Sequence, residues 1–369
     1  MKLYIASTSG YSGKTLLALA LSRIWSASGV SVGYVKPLGK IPVMEGKNLV
    51  DGDALFLARE LGLSGSLEDI CPVVITQDLL MGAYRRERLR LRERVGRAVA
   101  NAASAVEILL LGGAANLRDG FFLGLSPLDM ISSLDCRVLL VDRFEGEKSM
   151  DQVLWAAGIL GERLLGVVLN RVAPSKETFA RDVVRPYFES GKIRVFGVIP
   201  VDPLMDSISV AVLAEGLSAV VASGEDRMDT MVERFCVGAM DVEGALRVFR
   251  RIPRKAVVTG GMRADIQHAA LETDTKCLIL TGGVTPGERV RHRARMMGVP
   301  VLVVKTDTMA TVERFEQLLG RVRIREKVKS ERAVDLVDKH VDAGGILSCL
   351  RKPVRRGKRH SGGGGKNKV

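Results

Sequence analysis

Leu3-Tyr4-Ile5-Ala6-Ser7-Thr8-Ser9-Gly10-Tyr11-Ser12-Gly13-Lys14-Thr15 is the stretch that decides the fold. Leu3 to Ala6 is a short apolar run that predicts a buried strand, and Leu16 to Ile24 is apolar at helical spacing. A turn of small residues ending Gly13-Lys14-Thr15 joins them. Strand, small-residue loop, helix is the order that a phosphate-binding loop requires. Small residues let the backbone bend tightly and aim its N–H groups at phosphate oxygens, and the helix N-terminus adds partial positive charge. In that reading Ser9, Gly10, Tyr11, Ser12 and Gly13 cradle the phosphates of a nucleotide. Lys14 reaches the β- and γ-phosphates, and the Thr15 hydroxyl holds Mg²⁺. The pattern G-x-x-x-x-G-K-[ST] has Thr8 where its first glycine usually stands. The plainer alternative is a Gly-Lys-Thr that only starts a helix.

Downstream the same alternation continues. Val30 to Val35 predicts a strand leading into the turn Lys36-Pro37-Leu38-Gly39. Asp51-Gly52-Asp53 precedes an amphipathic helix from Ala54 to Leu61, with Asp in the N-cap region. Asp78 to Ala103 predicts one long helix with an arginine-rich face. Apolar strands follow at Val106–Leu111, closed by Gly112-Gly113, and at Arg137–Val141, followed by Asp142. After a helix over Met150–Leu160 come strands at Leu164–Leu169, ending Asn170-Arg171-Val172, and at Val195–Ile199. This pattern predicts an α/β fold with a doubly wound, mostly parallel sheet. Ligands gather at the C-terminal ends of such strands. Thr8–Thr15, Lys36, Gly112–Asn116 and Asn170 all fall there.

A second, smaller α/β unit is expected from about residue 206 to 345. Its strands end in Thr259-Gly260-Gly261, Thr281-Gly282-Gly283 and Lys305-Thr306-Asp307-Thr308. Residues 346–369 read as a basic, glycine-rich disordered tail, because Arg355 to Lys368 cannot bury a core.

Composition narrows the function classes. Hydrophobic content of 47% with 26% charged residues is ordinary for a globular protein, and no apolar run approaches the ~18–20 residues of a membrane span. The chain enters its first strand at once, without a signal-peptide layout. Its five cysteines are scattered with no C-x-x-C pair, so they read as reduced thiols, and the expected location is the cytoplasm. Four unpaired histidines give no zinc signature. The net charge of +13 is concentrated in two places. Arg351–Val369 carries eight Lys/Arg and no acid, and Arg85–Arg97 carries seven Arg and two Glu. The rest of the chain balances near zero. The tail interleaves no aromatics, which disfavours nucleic acid as a partner. The arginine run reads most simply as a solvated helix face.

With these motifs in hand, residues 1–205 resemble the dethiobiotin synthetase-like P-loop proteins. That fold is shared with cobyrinic acid diamide synthases and with the regulatory N-terminal part of long phosphotransacetylases. The resemblance rests on Ser7–Thr15, Tyr34–Gly39, Asp51–Leu55, Gly112–Ala114 and Asn170–Val172. The second unit resembles a DRTGG domain through Thr259–Ile266, Thr281–Gly283 and Thr306–Thr308. The resemblance implies ATP and Mg²⁺ as ligands. It implies Lys14 and Thr15 on phosphate and metal, and Lys36 as the residue closest to chemistry, contacting phosphate and a substrate carboxylate or carbamate. It also implies Asp53 as a metal-binding carboxylate and Asn170 on the purine base.

Two departures bear on activity. Gly112 stands where the synthetases carry a metal-binding Glu, and Gly261-Met262-Arg263 replaces Gly-Asp-Arg. The acetyltransferase domain of phosphotransacetylases has no counterpart in the chain. The expectation is a regulatory or ligand-sensing ATP-binding protein, a homodimer that takes an unidentified small molecule at its DRTGG unit. An ATP-dependent ligase of the dethiobiotin or diamide-synthase type is the alternative.

Overall fold

The computed structural model describes residues 1–319 and 327–352. The chain divides into two compact units. Among the described residues, one is Met1–Val201 together with 333–352, and the other lies within Asp202–Arg332.

In the first unit the strands are β1 (Lys2–Ser7), β2 (Val32–Val35), β3 (Pro42–Glu45), β4 (Asn48–Asp51), β5 (Ile108–Gly112), β6 (Arg137–Arg143), β7 (Leu164–Val172) and β8 (Val195–Pro200). β3 and β4 form a small hairpin of their own, which periodicity did not reveal because only Val50 and Asp51 in its strands are buried. The others form a sheet in the order β2-β5-β1-β6-β7-β8, every neighbouring pair parallel. The chain leaves β1 toward one side, for β2 and β5, and returns to the other for β6. The loop after β1 therefore opens at the switch point of the sheet, where helices on opposite faces part to leave a crevice. β5 is buried along its whole length, as expected of a strand covered on both faces. Leu109, Leu111, Val138, Leu140 and Val167 pack there with Val95, Val99, Val153 and Ala156 from the covering helices.

The helix expected over 78–103 is two helices, Gln77–Tyr84 and Leu91–Ser104. Arg86 and Arg90 between them take φ of +58° and +48°, which no α-helix accommodates. The break turns Leu89 toward the core. The stretch from residue 346, read from the sequence as the start of the tail, is also structured: Ala343–Arg351 is a helix that buries Ile346 and Leu350. It is tied to the first unit. Asp342 N–H donates to Phe196 O at 2.8 Å, and Trp25 Nε1–H donates to Ala343 O at 3.0 Å. Apolar spacing of i, i+4 marks Ile346 and Leu350 as a docking face, a signal outweighed in the sequence by the basic run that follows. Residues 353–369 lie outside the described residues.

The second unit contains β9 (Ile208–Ser209), β10 (Val220–Ser223), β11 (Met231–Val232), β12 (Arg234–Val237), β13 (Lys255–Gly260), β14 (Thr275–Thr281) and β15 (Val301–Val303). Its sheet runs β10-β15-β14-β13-β12, parallel except for β10 at the edge. Val257, Leu278 and Leu280 fill one face, and Ala256, Val258, Ile279 and Leu302 the other. The two Thr-Gly-Gly turns end the adjacent strands β13 and β14, so their likeness is that of neighbouring βα units. Among the described residues no helix is long and apolar enough to cross a membrane.

Candidate functional site

The loop from Thr8 to Gly13 joins β1 to α1 (Lys14–Ala27), a helix of 14 residues whose first-turn N–H groups face the loop. Gly13 takes φ +99°, and a Cβ there would lie 2.1 Å from the Asn170 amide nitrogen. Only glycine meets both conditions. Asn170 is buried at the end of β7. Its amide donates to Ser12 O at 2.8 Å and accepts from Arg171 N–H at 2.8 Å. In this structure its polar atoms hold the loop from beneath. Ser12 is buried, Ser9 and Gly10 are half-buried, and Tyr11 is exposed with φ +54°. Lys14 and Thr15 are partly buried at the start of the helix.

Lys14 Nζ donates to Ser7 Oγ at 2.5 Å and approaches Ala115 O at 3.5 Å. Both partners are neutral, and no carboxylate of the described residues lies within ion-pair distance. Burial of the ammonium and the nearby Lys36 lower its pKa to about 8. Lys36, at the end of β2, differs. Its Nζ meets Asp51 Oδ1 at 2.6 Å and Asp53 Oδ2 at 3.2 Å. Burial alone would lower it, but the carboxylates of Asp53 and Asp51 outweigh that and hold it above its ordinary value. Asp51 caps α2 (Gly52–Glu60) by accepting from Asp53 N–H and Ala54 N–H, and it also accepts from the N–H groups of Lys40 and Ile41. The sequence identified Asp51 only as a cap. That one fully buried carboxylate also fixes Lys36 was hidden, because the donors at Lys40 and Ile41 lie just ahead of the unanticipated hairpin that brings Asp51 back to them.

Gly112 ends β5 beside this cluster. A Cβ there would lie 2.1 Å from the Tyr34 hydroxyl, so the Tyr34 phenol fills the space that a side chain at 112 would need. Gly112→Glu alone therefore adds a clash rather than a usable carboxylate. The loop that follows contributes Asp119, a residue the sequence did not single out. It accepts from Lys40 Nζ at 2.9 Å and from Ala115 N–H at 3.0 Å.

A second residue missed from the sequence is Asp142 at the end of β6. It is fully buried. Thr8 Oγ1 donates to its Oδ1 at 2.5 Å, while Oδ2 has no hydrogen-bond partner. The threonine in place of the motif's first glycine is thus an anchor for the loop. Burial pushes Asp142 up to about 6, against the pull of the Ser149 and Thr8 hydroxyls. A carboxyl raised in the folded state binds its proton more tightly there than in the unfolded chain. Between about pH 4 and pH 6 its contribution to stability falls as pH rises, and above pH 6 the cost is constant. Asp142→Asn removes that titration. The stability of the variant relative to wild type should rise from pH 4 to pH 6 by about 1–3 kcal/mol and then level off. Denaturant titrations at four or five pH values check this; a flat difference contradicts it.

In the second unit the strand ends are internally satisfied. Thr281 Oγ1 and Thr308 Oγ1 lie 3.0 Å apart, and Gln267 Nε2–H donates to the carbonyls of Gly260 and Gly261. Arg263 pairs with Asp265 at 2.9 Å on the surface, and Met262 beside it is 81% exposed.

The donor set of the first unit fits a phosphate with a hard cation. Lys14 and Lys36 bring positive charge to the start of a helix, and only Lys36 is neutralised locally. Among the described residues no cluster of three or more His, Cys, Asp or Glu could hold a metal by itself. Mg²⁺ suits such a place, because it takes one or two protein oxygens and fills its shell with phosphate and water.

Known proteins are similar to this chain over the whole of it or over its first part. A phosphate acetyltransferase of Nitratidesulfovibrio vulgaris is 24% identical over 371 residues, covering 94% of this chain and 51% of its own. The chain spans about half the length of the phosphate acetyltransferases it matches. An ATP-dependent dethiobiotin synthetase of Methanococcus vannielii is 23% identical over 203 residues, covering 53% of this chain and 92% of its own. Among solved structures, the MinD cell division protein of Aquifex aeolicus aligns over 55% of this chain and 84% of its own, with 17% identity and a TM-score of 0.35. The DRTGG domain family matches residues 212–318. With a match over residues 1–209, more than half its length, the chain belongs to the AAA domain family.

Proposed function

We propose that the first unit binds ATP with Mg²⁺ through Ser9–Thr15, and that the chain is a regulatory or ligand-sensing protein without acetyl transfer. The observation that carries this is Lys14. Its partly buried ammonium, at the start of a 14-residue helix, has only neutral partners and a second cation nearby. A polyphosphate supplies the missing negative charge and accepts from the loop N–H groups at the same time. ATP is chosen among triphosphates because the dethiobiotin synthetase relative is ATP-dependent by name. Thr15 and Asp53 would hold the metal, which when bound neutralises charge across the β- and γ-phosphates. Lys36 supplies the second cation, and Asn170 acts by keeping Ser12 and Gly13 in place. The DRTGG unit takes a separate small molecule, and the protein works in the cytoplasm as a homodimer.

Turnover is expected to be slow. With Tyr34 filling the space beside Gly112, the metal has few fixed protein ligands, and small misplacements cost about a hundredfold in rate. The ligase alternative draws on the dethiobiotin synthetase relative and on Lys36, the residue that the family resemblance sets against a substrate carboxylate or carbamate. In millimolar Mg·ATP the melting temperature of the full chain should rise by several degrees, since a ligand at about 100 times its Kd stabilises by about 2.7 kcal/mol. ATP consumption should stay below about 1 s⁻¹ with or without small carboxylates or amines. No shift with Mg·ATP refutes the binding, and fast carboxylate-dependent turnover supports the ligase instead.

A further inference from the structure

Outside the phosphate loop, the first unit exposes four large apolar side chains on two segments. Met81 is 43% exposed, Tyr84 68%, Phe121 74% and Phe122 58%. The rings of Tyr84 and Phe122 lie 5.0 Å apart, tilted by 39°, so two segments distant in sequence meet in one patch. It amounts to on the order of 500 Å² of apolar surface, at the upper end of what a typical monomer leaves uncovered.

The patch is built, not frayed. Phe121–Leu123 is a single helical turn between Gly120 and Gly124, with φ of +88° and +66°. A Cβ at Gly120 would lie 2.5 Å from Leu38 Cδ2, which shows how closely the turn sits on the core. Arg92 Nε–H donates to Gly124 O at 2.8 Å and pins its far end. On the facing side Arg86 and Arg90 hold left-handed backbone, which costs energy and persists only where surroundings enforce it. Arg85, Arg86, Arg88 and Arg90 are all exposed around the rings. An adjoining cleft of about 550 Å³ is lined by Leu117, Phe121 and Leu128, with Arg92 and Arg118 at its rim.

Aromatics, Met and Arg together, with Lys absent, are the composition of the centre of a protein interface. Arg85 meets Glu87 at 3.9 Å, while Arg86, Arg88 and Arg90 have no carboxylate within ion-pair distance among the described residues, and these three select a negatively charged partner. The apolar cleft selects one with bulky aliphatic or aromatic side chains. One feature argues against single-stranded nucleic acid. Tyr84 and Phe122 partly cover each other's faces, which reduces the area open to base stacking.

We propose that this surface docks an acidic segment of another protein, its apolar side chains against Phe121, Phe122 and the cleft and its carboxylates on Arg85–Arg90. The test uses the full chain and a fluorescein-labelled peptide of about 16 residues alternating Glu with Leu and Phe, followed by anisotropy. Saturable binding is expected. It should weaken about tenfold or more in the double variant Phe121→Ser/Phe122→Ser. Arg86→Ser/Arg88→Ser should weaken it too and flatten its dependence on salt. Because these side chains are exposed, the variants should melt within about two degrees of wild type. Should the Phe variant fail to fold, Tyr84→Ser carries the apolar arm. The proposal is overturned by absence of peptide binding, by equal affinity in wild type and the apolar variants, or by an oligothymidylate of about 20 nucleotides binding the patch in preference to the peptide.

Discussion

Lys14→Ala should lose affinity for Mg·ATP by about a hundredfold or more while keeping the fold. The lysine is the one cation at the loop without a carboxylate of its own among the described residues. A charge-assisted contact to phosphate is worth more than an ordinary hydrogen bond. Its removal leaves Ser7 Oγ still bonded to the carbonyls of Ser9 and Ala115 at 2.9 Å, so the loop keeps its shape. Stability should be unchanged or higher, a readout that separates a binding role from a structural one. The lowered pKa gives a second signature. Only the protonated ammonium attracts phosphate, and in the free protein it begins to lose its proton near pH 8. Above that pH, binding must draw a proton from solution, so wild-type affinity should fall by up to about tenfold per pH unit. Lys14→Ala should lack that slope. Calorimetry with a non-hydrolysable ATP analogue at pH 7, 8 and 9 measures both; equal affinity in the two proteins contradicts the assignment.

Asp51→Ala should be the most damaging single substitution for stability, costing about 3–5 kcal/mol. The carboxylate is wholly buried and accepts from the Lys36 ammonium and from N–H groups of Lys40, Ile41, Asp53 and Ala54, between 2.6 and 3.1 Å. Its pKa lies below the ordinary carboxylate range. Burial would raise it, but Lys36 and the backbone donors prevail. Truncation strands Lys36 with Asp53 alone, removes the cap of α2 and leaves the N–H groups of Lys40 and Ile41 without their acceptor. A melting temperature lower by about 10 °C or more is expected, at about 2–4 °C per kcal/mol for a domain of this size. Replacing Lys36 by Met in the same chain should recover part of the loss, because the stranded charge goes with it. A loss below about 1 kcal/mol would show that water reaches the cluster.

What the sequence made legible follows from the range of the forces involved. β1, the loop and α1 are set by neighbours in sequence: an apolar run, small residues, then helical spacing. The parallel sheet followed because apolar strands alternate with helices, and the departure at Gly112 stood out against the family pattern. Contacts between distant segments were not legible. Tyr34 filling the space beside Gly112, Thr8 anchored to Asp142, and the Lys40 and Ile41 N–H groups donating to Asp51 each join residues that no local pattern links. Asn170 was placed at the site by its strand end, but its bonds to Ser12 and Arg171 needed the tertiary structure. The break at Arg86 and Arg90 was masked by a helical periodicity that runs through it. The docking of Ile346 and Leu350 was masked by the charge that follows them.

The central claim is that Ser9–Thr15 receives the phosphates. Hydrogen exchange of the full chain, followed by mass spectrometry with and without Mg·ATP, tests it most directly. Slowed exchange should appear in peptides spanning Ser7–Leu16, and to a lesser degree around Lys36–Asp53. Unchanged exchange across Ser7–Leu16, with protection appearing only in the DRTGG unit, would contradict the account.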